Sequence, residues 1–251
     1  MKKTFISLMM VLLFANAALA AGDVLPPKQM KWSFEGVTGH VDNASAQRGL
    51  QVYKEVCAAC HGLKRVAFRN LEAIGFSEAE VKALAAGYTI SDGPDDSGEM
   101  FDRPGLPSDY FVPPYPNEQA ARAAQNGAYP PDLSLMIKAR HDGANYMYSL
   151  LTGYKAAPEG VVVAEGLHYN PYFPGKKIAM AAPLSDGQIS YEDGTEATTD
   201  QMAKDVVNFL QWAAEPEMQE RKQMGIKVML FLAVFSLFMY IAKRRIWSKI
   251  H

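Results

Sequence analysis

The chain has two cysteines, three apart, with a histidine directly behind the second: Cys57-Ala58-Ala59-Cys60-His61. At that spacing, close to a helix, two thiols can add to the two vinyl groups of one porphyrin. The adjacent imidazole then reaches the iron from one face. The pentapeptide therefore predicts one covalently bound haem c, held by Cys57 and Cys60, with His61 as an iron ligand. A bare Cys-x-x-Cys is also compatible with a redox disulfide of thioredoxin type. That reading wants a βαβ context, which this pattern lacks, and has no need of the histidine. Zinc would require a second pair of ligands. A structural disulfide closing so short a loop would staple little.

The two ends of the chain have a different character from its body. Lys2 and Lys3 precede an apolar run from Phe5 to Phe14, and Ala18-Leu19-Ala20 has the small-x-small shape of a cleavage site. Residues 1–20 read as a signal peptide, with the mature chain starting at Ala21. A second apolar run extends from Ile226 to Ala242, broken only by Lys227. It approaches spanning length, and Lys227 can snorkel to the interface. Lys243, Arg244, Arg245 and Lys249 follow, with Trp247 among them. By the positive-inside rule that end stays in the cytoplasm and the body is exported. The expected organisation is a signal peptide (1–20), a periplasmic haem domain (21–220) and a transmembrane anchor with a basic cytoplasmic tail (221–251). All 27 acidic residues lie between Asp23 and Glu220, and residues 21–220 hold 16 Lys and Arg, a balance of −11. An acidic body argues against nucleic acid and for a basic partner.

Between the ends the pattern is mostly helix and long loop. Ser45 is the expected cap of a helix over 46–56, on which Gly49 and Tyr53 share a face and which delivers Cys57. Ser77 with Glu80 predicts a short helix over 77–87. The stretch 91–131 holds eight of the 15 prolines, and only 117–125 has helical character there. Residues 132–152 read as one or two short helices interrupted at Asp142-Gly143. Short strands are candidates at 161–164 and 188–191. Thr198 and Gln201 suggest a capping box for a helix to about Ala214, and Pro216 is a break before the anchor. Loops this long need an organiser, and a buried cofactor supplies one.

The sixth iron ligand separates electron transfer from catalysis at an open iron. Met180 sits in a loop fenced by Pro171, Pro174-Gly175 and Pro183, and a stiff loop suits a weak thioether ligand. Met100, Met136, Met147, His141 and His168 stay open as alternatives on spacing alone. The methionines of the C-terminal helical stretch read more simply as core or lipid filler.

At this point the chain resembles the cytochrome c1 family of the quinol–cytochrome c reductase complex. The resemblance covers nearly all of the mature chain. Its blocks are Val56 to Gly62, Tyr129-Pro130-Pro131-Asp132-Leu133-Ser134, Ala139-Arg140-His141 and Ser149-Leu150-Leu151-Thr152-Gly153-Tyr154. Tyr169 to Gly175, Ile178-Ala179-Met180, Asp193-Gly194 and Trp212-Ala213-Ala214-Glu215-Pro216-Glu217 continue it. The resemblance implies a mainly α fold, a class-I cytochrome c core with long loop insertions plus one C-terminal transmembrane helix. It implies Met180 as axial ligand, Arg140 at a haem propionate, Tyr146 in contact with the haem and Pro131 in the pocket wall. Taken alone, Arg140 is as readily a surface arginine, and Pro130-Pro131 a turn. The extra disulfide of some bacterial relatives has no cysteines here, so loop stiffness must come from packing and proline.

The implied function is one-electron transfer from a Rieske iron–sulfur protein to a basic cytochrome c acceptor, in a dimeric complex with cytochrome b. The run Asp92, Asp95, Asp96, Glu99 and Asp102 is a candidate for docking the acceptor, or a solvated loop.

Overall fold

The computed structural model describes residues 24–248. The signal-peptide reading and the last residues of the basic tail lie outside them. The fold is mainly helical. Its α-helices are α1 (Asn43–Glu55), α2 (Glu78–Ala86), α3 (Glu118–Ala124), α4 (Gly143–Leu151), α5 (Thr199–Ala214) and α6 (Met218–Trp247). Three-residue 3-10 turns occupy Cys57–Ala59 and Pro174–Lys176, and a longer one Phe68–Ile74. Two small antiparallel pairs complete it: β1 (Thr89–Asp92) with β2 (Phe101–Pro104), and β3 (His168–Tyr169) with β4 (Lys177–Ile178).

The core centres on α1 crossing α5. Gly49 is what permits the approach, because a Cβ there would lie 2.1 Å from the backbone oxygen of Asp205 and 2.6 Å from Cβ of Phe209. Tyr53, one turn on, packs its ring against Phe209 and Phe111, and Phe111 packs against Phe68. Such aromatic contacts bury large apolar areas and so dominate the core's cohesion. A polar clasp lies on the same interface. Arg48 donates twice to the carboxylate of Asp205, which is fully buried and also accepts from Ser45 and Gln201.

Local signals place most helix starts. Ser77 and Glu80 form a reciprocal capping box at α2. Thr198 caps α5 by accepting from the Gln201 amide, but the Gln201 side chain turns to Asp205 instead of completing the box. α1 starts earlier than expected. Its cap is Asp42, which accepts from the Ser45 amide, while the Ser45 hydroxyl is drawn to Asp205. Pro216 follows the end of α5 at Glu215 and separates it from α6.

The strands differ from expectation. Residues 161–164 are not paired, and Val162 is 81% exposed. At 188–191 Ile189 and Tyr191 turn inward without a ladder, and the Ser190 carbonyl accepts from Gln51 instead. The β1–β2 hairpin arises inside the proline-rich stretch. Arg103 is ion-paired with both Asp92 and Asp109 across it.

α6 has 30 residues, about 45 Å of helix, which is enough to cross a hydrocarbon core of about 30 Å. Leu230, Phe231, Phe235 and Phe238 on it are each at least half exposed, with no protein core to bury them. Lys243 lies over the Trp247 ring at 5.0 Å, an arrangement suited to a membrane interface.

Candidate functional site

α1 ends at Glu55, and the chain tightens at once into the turn that carries the cysteines. The amides of both Cys60 and His61 donate to the carbonyl of Cys57, at 3.1 and 2.9 Å. Tyr53, almost fully buried on α1, donates its hydroxyl to the His61 carbonyl at 3.1 Å. Burial raises the Tyr53 pKa, so that donor keeps its proton. Both cysteines are free thiols and half-buried. Burial, and then the neighbouring Cys60, push the Cys57 thiol up to about 12. Redox dithiols work in the opposite regime, with a thiol pKa lowered to generate thiolate.

His61 is oriented from the far side of the sequence. Its Nδ1 lies 2.7 Å from the carbonyl oxygen of Pro131, 70 residues on. A carbonyl only accepts, so Nδ1 carries the proton and donates. Burial lowers the His61 pKa, partly offset by the Pro131 bond and the charge of Asp132, which favours the neutral ring. Nε2 has no hydrogen-bond partner among the described residues, so its lone pair is available. One nitrogen is fixed to a carbonyl and the other is presented, a geometry that suits metal binding.

Arg140 and Tyr146 also meet. Arg140 is exposed at the end of the 132–140 segment, and Tyr146 is half-buried on α4. Burial raises the Tyr146 pKa, and a hydrogen bond and charge from Arg140 counteract it. Tyr154 stands beside Tyr146, and its hydroxyl donates to the Met180 carbonyl at 3.0 Å. Met180 is half-buried, two residues beyond β4. Its loop is pinned by fully buried Asn170, whose side chain donates to the Leu150 carbonyl and accepts from the Tyr172 amide. The other candidates fare differently. Met136 and Met147 belong to the hydrophobic core, Met100 is 60% exposed on the hairpin, and His141 and His168 are exposed. No hydrogen bond or ion pair among the described residues joins the Cys57–His61–Pro131 set to the Arg140–Tyr146–Met180 set.

Three contributors escaped the sequence reading. Gln125, just past α3, donates to the Tyr115 hydroxyl at 2.7 Å and lies 3.5 Å from Cys60 Sγ. Asn145 on α4 accepts from the Met30 amide and the Trp32 indole, fastening the N-terminal strand of chain over that helix. Tyr154 is the third. None carries a spacing signal, because each partner is distant in sequence.

The profile of the Cytochrome C1 family matches residues 32–250. The chain belongs to the cytochrome c1 family. A cytochrome c1 from Rhodospirillum rubrum is 47% identical over 265 residues, covering 99% of this chain and 97% of that one. The mitochondrial cytochrome c1-2 haem protein of Solanum tuberosum is 55% identical over 217 residues, 86% of this chain and 84% of its own length. A Bradyrhizobium diazoefficiens protein named cytochrome b/c1 is 50% identical over 258 residues. That match covers 94% of this chain but 37% of the longer protein. Membership in the cytochrome c1 family implies haem c and electron transport, and Cys57-Ala58-Ala59-Cys60-His61 is a haem-attachment motif of that kind.

The residues around the motif fit such a group. Nε2 of His61 is presented, the two thiols lie in the turn directly before it, and apolar side chains flank the site. Val112 (41% exposed) adjoins Pro113, which packs on Gly62. Tyr129 (47%) and Leu135 (42%) flank the segment bonded to residues 61–65. A flat apolar macrocycle would cover such surface.

Proposed function

We propose that this chain is the cytochrome c1 electron-transfer subunit of a quinol–cytochrome c reductase complex. In that role it carries electrons from a Rieske iron–sulfur protein to a soluble or membrane-bound cytochrome c. The observation that carries the reading is His61, held through Nδ1 by Pro131 with Nε2 free beside two thiols. Bound haem c supplies one-electron iron chemistry. Cys57 and Cys60 would hold one haem through thioethers. His61 and Met180 would hold its iron, a donor pair that would raise the potential and suit the downstream end of quinol oxidation. Arg140 would pair with a propionate as a charge-assisted donor, Tyr146 would contact the ring, and Pro131 would form part of the wall. The subunit itself has no acid–base chemistry to perform.

The topology is part of the same reading. A cleaved signal peptide would export residues 21–220 to the periplasm of a bacterial inner membrane, with α6 as the single anchor and the basic tail in the cytoplasm. Cytochrome b and the Rieske protein would be partners within a dimeric complex, and the acidic body would meet a basic acceptor. Names of relatives support the setting, among them a Candida albicans cytochrome b-c1 complex catalytic subunit.

Met180→Leu tests the reading, because it keeps volume and apolar character and removes only the thioether. Haem should remain attached on a denaturing gel, the potential should fall, and quinol oxidation by the detergent-purified complex should stall. A retained His–Met spectrum with an unchanged potential would exclude Met180. Purification in mild detergent without a b-type cytochrome would exclude the complex.

A further inference from the structure

Asp132 occupies a position that the haem reading does not by itself assign. Its two carboxylate oxygens reach two different segments. Oδ2 accepts from the Lys64 amide at 3.0 Å, and Oδ1 accepts from the Ser134 amide at 3.0 Å. The bonds on either side run in parallel: the Leu133 amide donates to the Gly62 carbonyl at 2.8 Å, and the Arg65 amide donates to Ser134 Oγ at 3.1 Å. Residues 131–134 are thus bound along residues 61–65. The fit is close, since a Cβ on Gly62 would come to 3.0 Å from Asp132 Oδ2.

Pro131 lies at the head of this arrangement. Its ring fixes φ, so the direction of its carbonyl is governed by ψ alone, and ψ is set by where Asp132 is held. That carbonyl is the acceptor for His61 Nδ1. The charge of Asp132 also acts on His61. Resting on the reading of His61 as the iron ligand, we propose that Asp132 is a positioning residue for that ligand. By clamping the Lys64 amide and its own Asx turn, it aims the Pro131 carbonyl at Nδ1 and so sets the orientation and donor strength of the imidazole. An aspartate is required because asparagine offers one acceptor oxygen and would set its NH2 against the second amide.

A tighter Nδ1–H bond and a nearby negative charge both favour the ferric state, so removing Asp132 should move the potential upward. The test uses the full-length holoprotein in detergent, carrying Asp132→Asn, Asp132→Ala or, as a charge control at an exposed position of the 3-10 turn Phe68–Ile74, Glu72→Gln. Redox titration should show an upward shift in Asp132→Ala, a smaller one in Asp132→Asn and none in Glu72→Gln. Proton NMR of the His61 ring should show Nδ1–H exchanging faster in Asp132→Ala, by up to about fivefold, the most that weakening one hydrogen bond gives. If Asp132→Ala does not fold, Asp132→Asn carries the test alone through the same two measurements. Haem-positive Asp132 variants with wild-type potential and exchange would overturn the proposal. An equal shift in Glu72→Gln would overturn it too, leaving only a general charge effect. Absence of covalent haem in the unaltered protein would instead overturn the haem reading on which it rests.

Discussion

Tyr154 donates its hydroxyl to the backbone carbonyl of Met180 at 3.0 Å, across 26 residues of chain. Tyr154 follows α4, whereas Met180 lies past the short β3–β4 pair, so the bond ties the loop of the proposed ligand to the helical body. Burial raises the Tyr154 pKa, as does the neighbouring Tyr146, so it remains a donor at all physiological pH. Tyr154→Phe removes the donor and keeps the ring. At about 1 kcal/mol for one net hydrogen bond, external imidazole should displace Met180 with about fivefold higher affinity. Optical titration of the purified holoprotein measures this, and an unchanged affinity would show that the bond does not restrain Met180.

The α1–α5 crossing should be the mechanical support of the haem motif. Asp205 is fully buried and depends on Arg48, whose side chain is 19% exposed. Arg48→Ala leaves a buried carboxylate without its cation, at a cost of about 3 kcal/mol. Thermal unfolding in detergent should then fall by roughly 10 °C. Gly49→Ala should act by a different route, forcing the helices apart at the Asp205 backbone. Calorimetry with parallel haem quantification would check both, and wild-type unfolding temperatures would show that the crossing bears no load.

The β1–β2 hairpin should loosen in acid. Asp92 and Asp109 are each held below the ordinary value of 3.8, chiefly by hydrogen bonds from Arg103. A depressed carboxylate pKa contributes stability that is present above the unfolded value and is lost as pH falls through the folded one. Amide hydrogen exchange over residues 89–104 should therefore accelerate specifically below about pH 3.8. In Arg103→Gln that acid step should disappear, with faster exchange already at neutral pH. Identical acid profiles in the two proteins would contradict this account.

Much of the chain was legible because its determinants are local. The cap of Ser77 on α2 is a contact between residues three apart, and so is the turn from Cys57 to Cys60. The hairpin has no local signal, because what stabilises it is an arginine bridging Asp92 and Asp109, and the prolines around it argue for plain loop. The cap of α1 departs from the Ser45 expectation for a related reason. Asp42 and Ser45 are both good caps, and the choice was made by Asp205, 160 residues away, taking the Ser45 hydroxyl.

The sequence by itself determined the haem-attachment motif, the apolar C-terminal helix and the starts of α2 and α5. Each follows from residue types at short fixed spacings, where side-chain identity carries the information. The tertiary structure decided which nitrogen of His61 is committed, how Met180 is held and why Gly49 must lack a side chain. Those depend on the Pro131 carbonyl, the Met180 carbonyl and the Asp205 backbone oxygen. Every residue has such an oxygen, so no sequence pattern marks the ones that matter until the chain has folded.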